Sequence, residues 1–134
     1  MQKRMTARQY RKMGRRRTKY NNRHVQIDGL TFHSVDEGRY YSELKLRERA
    51  GGILFFRVQP RYRLLDGFEK DGKTHRAIDY IGDFEIHHCD GSIEVVDVKG
   101  VQTQVFKIKE KLFHKKYPHK LTLVKWERGR FVEL

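Results

Sequence analysis

The stretch Asp83-Phe84-Glu85-Ile86-His87-His88-Cys89-Asp90-Gly91-Ser92-Ile93-Glu94-Val95-Val96-Asp97-Val98-Lys99 decides how this chain folds. Asp83–His88 and Ile93–Lys99 read as strands around the turn signal Asp90-Gly91, so a hairpin is predicted. Asp97 lies between Val96 and Val98, although strands disfavour aspartate. Lys99 follows two positions later, on the same strand face. A carboxylate beside an ammonium at the end of an apolar strand makes little sense as pure structure. It makes sense in a hydrolase. Two carboxylates can hold a divalent metal through hard oxygen ligands. Such a metal polarises a phosphodiester and lowers the pKa of a bound water. A lysine can orient that water or offset the charge developing at phosphorus.

Register decides whether the acids meet. A two-residue loop at Asp90-Gly91 sets Asp83 opposite Val98, pointing away from Asp97. A three-residue loop of Cys89-Asp90-Gly91, with Gly91 left-handed in a bulge, pairs Asp83 directly with Asp97. Hydrophobic alternation fits the tight hairpin better. An acidic site needs the bulged one or another one-residue offset. The sequence leaves both open.

Working outward, Ser34 with Glu37 three residues later is a capping box, and Gly51-Gly52 ends the helix it opens. Val25–Phe32 reads as a mixed segment with a short strand. Strands are expected over Ile53–Val58, Tyr62–Leu65, Phe68–Lys70 and Thr74–Ile81, with a hairpin turn at Asp71-Gly72. Thr103 starts a second helix that runs to about Tyr117, Pro118 stops it, and Leu121–Trp126 is a last strand. The class is mixed α/β, a central sheet flanked by helices.

Net charge is +13 over 134 residues, and it is unevenly placed. Residues 1–24 hold ten Lys and Arg and no acid, leaving 20 bases and 17 acids behind them. Residues 1–24 are therefore expected to be a flexible phosphate-gripping arm, led by Arg15, Arg16, Arg17 and Lys19, before a domain at 25–134. A generic solubilising tail is the alternative. No apolar run approaches the roughly 20 residues of a membrane-spanning helix. The single cysteine, Cys89, rules out a disulfide scaffold. The basic, polar start shows no signal peptide, so a cytosolic location is expected.

Asp83, then Asp97-Val98-Lys99, with Glu37 on the preceding helix, resembles the PD-(D/E)xK nuclease superfamily. The collinear set is wider: Ser34-x-x-Glu37, Ala50-Gly51, Gln59-Pro60, Tyr80-Ile81-Gly82-Asp83-Phe84, Asp97-Val98-Lys99-Gly100 and Thr103-x-x-Phe106-x-x-Lys109. It is similar to a family of small phage-encoded, nuclease-like proteins, over roughly residues 30–118. The resemblance implies a restriction-endonuclease-like αβββαβ core and cleavage of DNA with Mg²⁺ or Mn²⁺, in the host cytoplasm for a phage protein. It implies that Asp83, Asp97 and Glu37 are metal ligands and Lys99 the catalytic lysine. Gly82 stands where the motif's name has proline. Small members of the superfamily include resolvases, so a Holliday-junction or branched substrate and a homodimer are expected by analogy.

Each residue has a plainer reading. Glu37 sits where a capping glutamate belongs. Asp83 can serve its own turn, Asp79 competes with it, and Lys99 alone is an ordinary edge lysine. Gln59 either touches substrate or ends a strand. Glu85 and Glu94 read as solvated, and His87-His88-Cys89 as exposed hairpin residues, a poor zinc site. On the second helix, Val105, Ile108 and Leu112 with Phe106 and Phe113 form an apolar stripe. Lys107, Lys111 and Lys115 form a basic line that, with Lys109, Thr103 and Gln104, suits phosphate. The functional rivals are a non-catalytic DNA- or RNA-binding accessory protein and a subunit of a recombination or transposition complex.

Overall fold

The computed structural model describes residues 23–99 and 101–134. The expected arm contacts Arg15, Arg16, Arg17 and Lys19 lie outside these residues. Helix α1 (Val35–Arg49) is opened by Ser34, whose Oγ accepts the Glu37 amide at 3.1 Å. Gly51 closes it with φ +79, its amide donating to the Glu48 carbonyl and that of Gly52 to Arg47. This Schellman closure satisfies the last carbonyls. Helix α2 (Gln104–Lys116) is capped in the same way, the Thr103 hydroxyl accepting the Phe106 amide at 3.1 Å.

A five-stranded mixed sheet lies between the helices, in the order β11 (Arg130–Glu133), β10 (Lys120–Glu127), β9 (Ile93–Val98), β8 (Phe84–His87), β3 (Phe55–Val58). Only β9 and β10 run parallel, joined through α2. Adjacent valines of β9 go to opposite faces. Val96 joins Phe84, Ile86 and the α1 residues Tyr40, Tyr41 and Leu44. Val95 joins Leu123 and the α2 residues Phe106 and Phe113. A central strand buried on both sides has to read as a continuous apolar run, as Val95-Val96 does.

Strands β3 and β8 continue into a second ribbon, β4 (Arg61–Leu65) with β7 (Ile78–Ile81). The ribbon bends where Gln59-Pro60 faces Gly82-Asp83. There the Gln59 amide donates to the Asp83 carbonyl, and the Gly82 amide to that of Pro60. Gln59 takes φ +53, uncommon for a residue with a side chain. Beyond the bend, Tyr62 and Leu64 of β4 pack with Phe113. A separate hairpin, β5 (Phe68–Lys70) and β6 (Lys73–His75), connects the far ends of this ribbon.

Four details differ from the sequence reading. Val25–Phe32 is a hairpin, β1 (Val25–Ile27) and β2 (Leu30–Phe32), turning through Asp28 and Gly29. Thr74–Ile81 is not one strand, because Arg76-Ala77 separates β6 from β7. Strand β11 was not expected. Val105 and Ile108 are 63% and 59% exposed, so they leave the apolar stripe. Phe106 and Phe113, seven residues apart, fix the buried face of α2, and Val105 and Ile108 point off it. No helix among the described residues is long and apolar enough to cross a membrane.

Candidate active site

The β8–β9 hairpin turns through three residues, Cys89, Asp90 and Gly91, with Gly91 at φ +89. The His88 amide donates to the Ser92 carbonyl, and the Gly91 amide to that of His88. This is the bulged alternative. Its register pairs Phe84 with Val96, and one step further Asp83 faces Asp97. Each acid accepts a backbone amide from the other's strand. The Asp83 amide donates to Asp97 Oδ1 at 3.0 Å, and the Val98 amide to Asp83 Oδ2 at 2.8 Å.

Asp97 is 1% exposed. Its Oδ2 accepts the Tyr80 hydroxyl and lies 3.7 Å from Lys99 Nζ. The Lys99 ammonium also sits 4.7 Å from the centre of the Phe106 ring, and the Lys99 amide donates to Val124. One end of β9 is thus fixed by its neighbour β10 while its side chain reaches back to the acid.

Burial pushes the Asp83 carboxyl up, and the charges of Asp97 and Glu37 push it further, to about 9. Burial also raises Glu37. The His33 amide, which donates to Glu37 Oε2 at 3.1 Å, acts against that, Asp97 adds to it and Lys99 opposes it. Glu37 therefore serves its helix cap and lies within electrostatic reach of the acid pair at once. The Asp83–Asp97 pair meets one ammonium, and Glu37 adds its charge to theirs.

Gly82 has a physical reason to lack a side chain. A Cβ there would lie 2.7 Å from Val95 Cγ1, in the buried core. Tyr80 is the site residue that sequence reasoning gave no role. A buried tyrosine hydroxyl needs a polar partner, and Tyr80 finds it in Asp97. Burial and the Asp97 charge hold the hydroxyl well above the usual tyrosine range, so it stays a donor.

The other expected contacts are dispersed. Gln59 is exposed at the bend, with its backbone tied to Asp83. Thr103 spends its hydroxyl on the α2 cap. Lys107 and Lys111 are exposed on α2, and Lys109 is half-buried. Asp79 is paired with Arg61 and Arg63, so it does not compete for the site. Glu85 and Glu94 are not solvated: Glu85 accepts from Tyr62 and meets His87 at 2.7 Å, while Glu94 meets His88 at 2.8 Å and accepts from Thr122. The two histidines are accordingly half-buried, and Cys89 is exposed. Among the described residues no three His, Cys, Asp or Glu side chains are grouped closely enough to hold an ion.

A mixed α/β domain with paired acids at a strand end is the class that fold and site define. The model of a family described as "Protein of unknown function (DUF1064)" matches residues 17–128, and the chain belongs to that family. No curated protein and no solved structure matches the chain.

Proposed function

We propose that this domain is a divalent-metal-dependent DNA endonuclease of the PD-(D/E)xK type. The observation that carries the reading is the face-to-face placement of Asp83 and Asp97, each held by a backbone amide of the other's strand, beside Lys99 and within reach of the Glu37 charge. The order of α1, three strands of the central sheet (β3, β8, β9), α2 and β10 supports a restriction-endonuclease-like αβββαβ core.

Asp83, Asp97 and Glu37 would hold Mg²⁺ or Mn²⁺. Their all-oxygen donor set suits either ion, and the like charge crowded on Asp83 fits a site completed by a cation. The bound ion supplies Lewis-acid activation of the phosphodiester and of water. The protein supplies the rest. Tyr80 and the Asp83 amide fix the Asp97 carboxylate before any ligand arrives. Lys99, beside Asp97, would orient the attacking water and offset charge growing on the phosphate oxygens. Gln59, Thr103, Lys107, Lys109 and Lys111, with the N-terminal arginines and Lys19, are the proposed DNA contacts, which position without reading sequence. The finer version is cleavage of branched or Holliday-junction DNA by a homodimer in the cytoplasm.

One observation favours a second reading, a DNA-binding accessory protein or complex subunit without cleavage of its own. The acids are placed pairwise, not as a three-ligand shell. Plasmid, single-stranded and four-way-junction DNA, each with Mg²⁺ or Mn²⁺, separate the two. Cleavage that disappears in Asp97→Ala and Lys99→Ala is the expected result. Cleavage surviving both substitutions contradicts the site, and binding without cleavage of any substrate supports the accessory reading.

A further inference from the structure

The proposed site makes no use of the β5–β6 hairpin. The Asp71-Gly72 turn has φ of 52° and 74°, the two positive values of the tight hairpin turn that matches strand twist. Phe68 stands opposite His75, and Lys70 opposite Lys73. Side chains two apart on a strand share a face. One face of the hairpin therefore carries Phe68, His75, Lys70 and Lys73, and the other carries Glu69 and Thr74.

That face is largely open to solvent. The Phe68 and His75 rings stack at 4.7 Å and 15°. Phe68 nevertheless remains 46% exposed, and the hairpin packs mainly on itself. Like charges directly opposite each other weaken a strand pair, yet two lysines occupy that position next to the turn. A polyanion relieves the repulsion, and a flat exposed ring adds a partner for a base. Aromatic side chains beside lysines are how proteins hold single strands without sequence preference.

We infer that the β5–β6 hairpin is a second DNA contact, with the Phe68–His75 face stacking on an unpaired base and Lys70 and Lys73 holding the flanking phosphates. This rests on DNA being the ligand of the domain. The hairpin grows from the ribbon of β4, which starts at the bend beside Asp83, and β7, which ends there. The eight residue steps from His75 to Asp83 span at most about 29 Å when extended. A strand gripped by the hairpin thus comes within about one duplex turn of the acids. The surface favours substrates with unpaired bases, such as single strands and forks.

The test uses the full chain in EDTA and reads fluorescence anisotropy with a labelled 30-nucleotide single strand, a fork and the matching duplex. Lys70→Ser/Lys73→Ser is expected to weaken all three by about tenfold at moderate salt and to flatten the salt dependence. Phe68→Ser is expected to weaken the single strand and fork five- to tenfold while changing the duplex less than twofold, with Phe68→Tyr restoring binding. Thermal melting checks that these exposed changes leave the fold intact. Variants that bind every DNA like the parent protein overturn the contact. Equal loss on duplex and single strand from Phe68→Ser overturns the stacking, as does equally strong competition by polyglutamate. The nuclease reading fails separately: wild-type binding without cleavage in Mg²⁺ leaves the hairpin contact standing. Cleavage by the wild type, with hairpin variants that bind normally, removes the hairpin contact alone. A wild type that binds no DNA removes both.

Discussion

Asp83 and Glu85 stand two residues apart, one just before β8 and one within it, and their carboxyl groups are driven in opposite directions. Burial would raise Glu85, but hydrogen bonds from Tyr62 and His87 outweigh it and hold the carboxyl below the usual range. Asp83 is raised by burial and then further by Asp97 and Glu37. Glu85 has its partners within the fold, and the fold leaves Asp83 facing other acids. On the proposed function, Asp83 is the acid kept for chemistry and Glu85 the structural one. The comparison separates an acid that stabilises the sheet from one that the sheet tolerates.

The largest break in that comparison is at Asp97 and Lys99. Asp97→Ala or Lys99→Ala is expected to lower DNA cleavage by about a hundredfold or more, the scale of losing one electrostatic stabiliser. A filter-binding measurement should still find DNA bound by both variants.

Gly82→Ala comes next. The new methyl collides with Val95, so urea unfolding is expected to show a loss of roughly 1–3 kcal/mol. Cleavage should fall with it, because Asp83 is the next residue. A tolerated alanine with an unchanged melting curve would mean that β8 can shift away from β9.

Opposite stability changes are predicted for the two acids in metal-free protein at neutral pH. Asp83→Asn removes a carboxyl that the fold disfavours in its charged form and should stabilise by roughly 1 kcal/mol; Glu85→Gln loses charge-assisted bonds and should destabilise by about as much. The sign in pH follows from the same shift. Between the unfolded aspartate value and the raised folded one, the folded state holds more protons at Asp83 than the unfolded chain. The Asp83 contribution therefore favours folding least at high pH. Metal-free stability should fall from about pH 5 to pH 9 more steeply in the parent than in Asp83→Asn. Millimolar Mn²⁺ should raise the melting temperature of the parent by a few degrees and leave Asp83→Asn unmoved.

Much of this was legible in the residues. Ser34, Glu37, Gly51 and Thr103 end helices through caps whose chemistry is local, so the sequence locates them. The acids were legible as types, since Asp97 contradicts its strand. Their meeting was not, because hairpin register depends on whether one residue joins the turn, and Cys89-Asp90-Gly91 suits either answer. Asp28-Gly29 carries the same turn signal as Asp71-Gly72, so the β1–β2 hairpin was legible and passed over, whereas the turn through Arg128, at positive φ, hid β11. Arginine carries no turn signal in that position. Tyr80 and Glu85 were missed for a shared reason: the partners Asp97 and Tyr62 come from other strands, and burial of a polar pair is a tertiary fact.

The measurement that bears most directly on the account compares plasmid cleavage in Mg²⁺ by Asp83→Asn and Glu85→Gln, each at equal folded concentration. Loss of cleavage in Asp83→Asn with near-parent cleavage in Glu85→Gln is the predicted result. Equal rates in the two variants, or greater loss at Glu85, would contradict it.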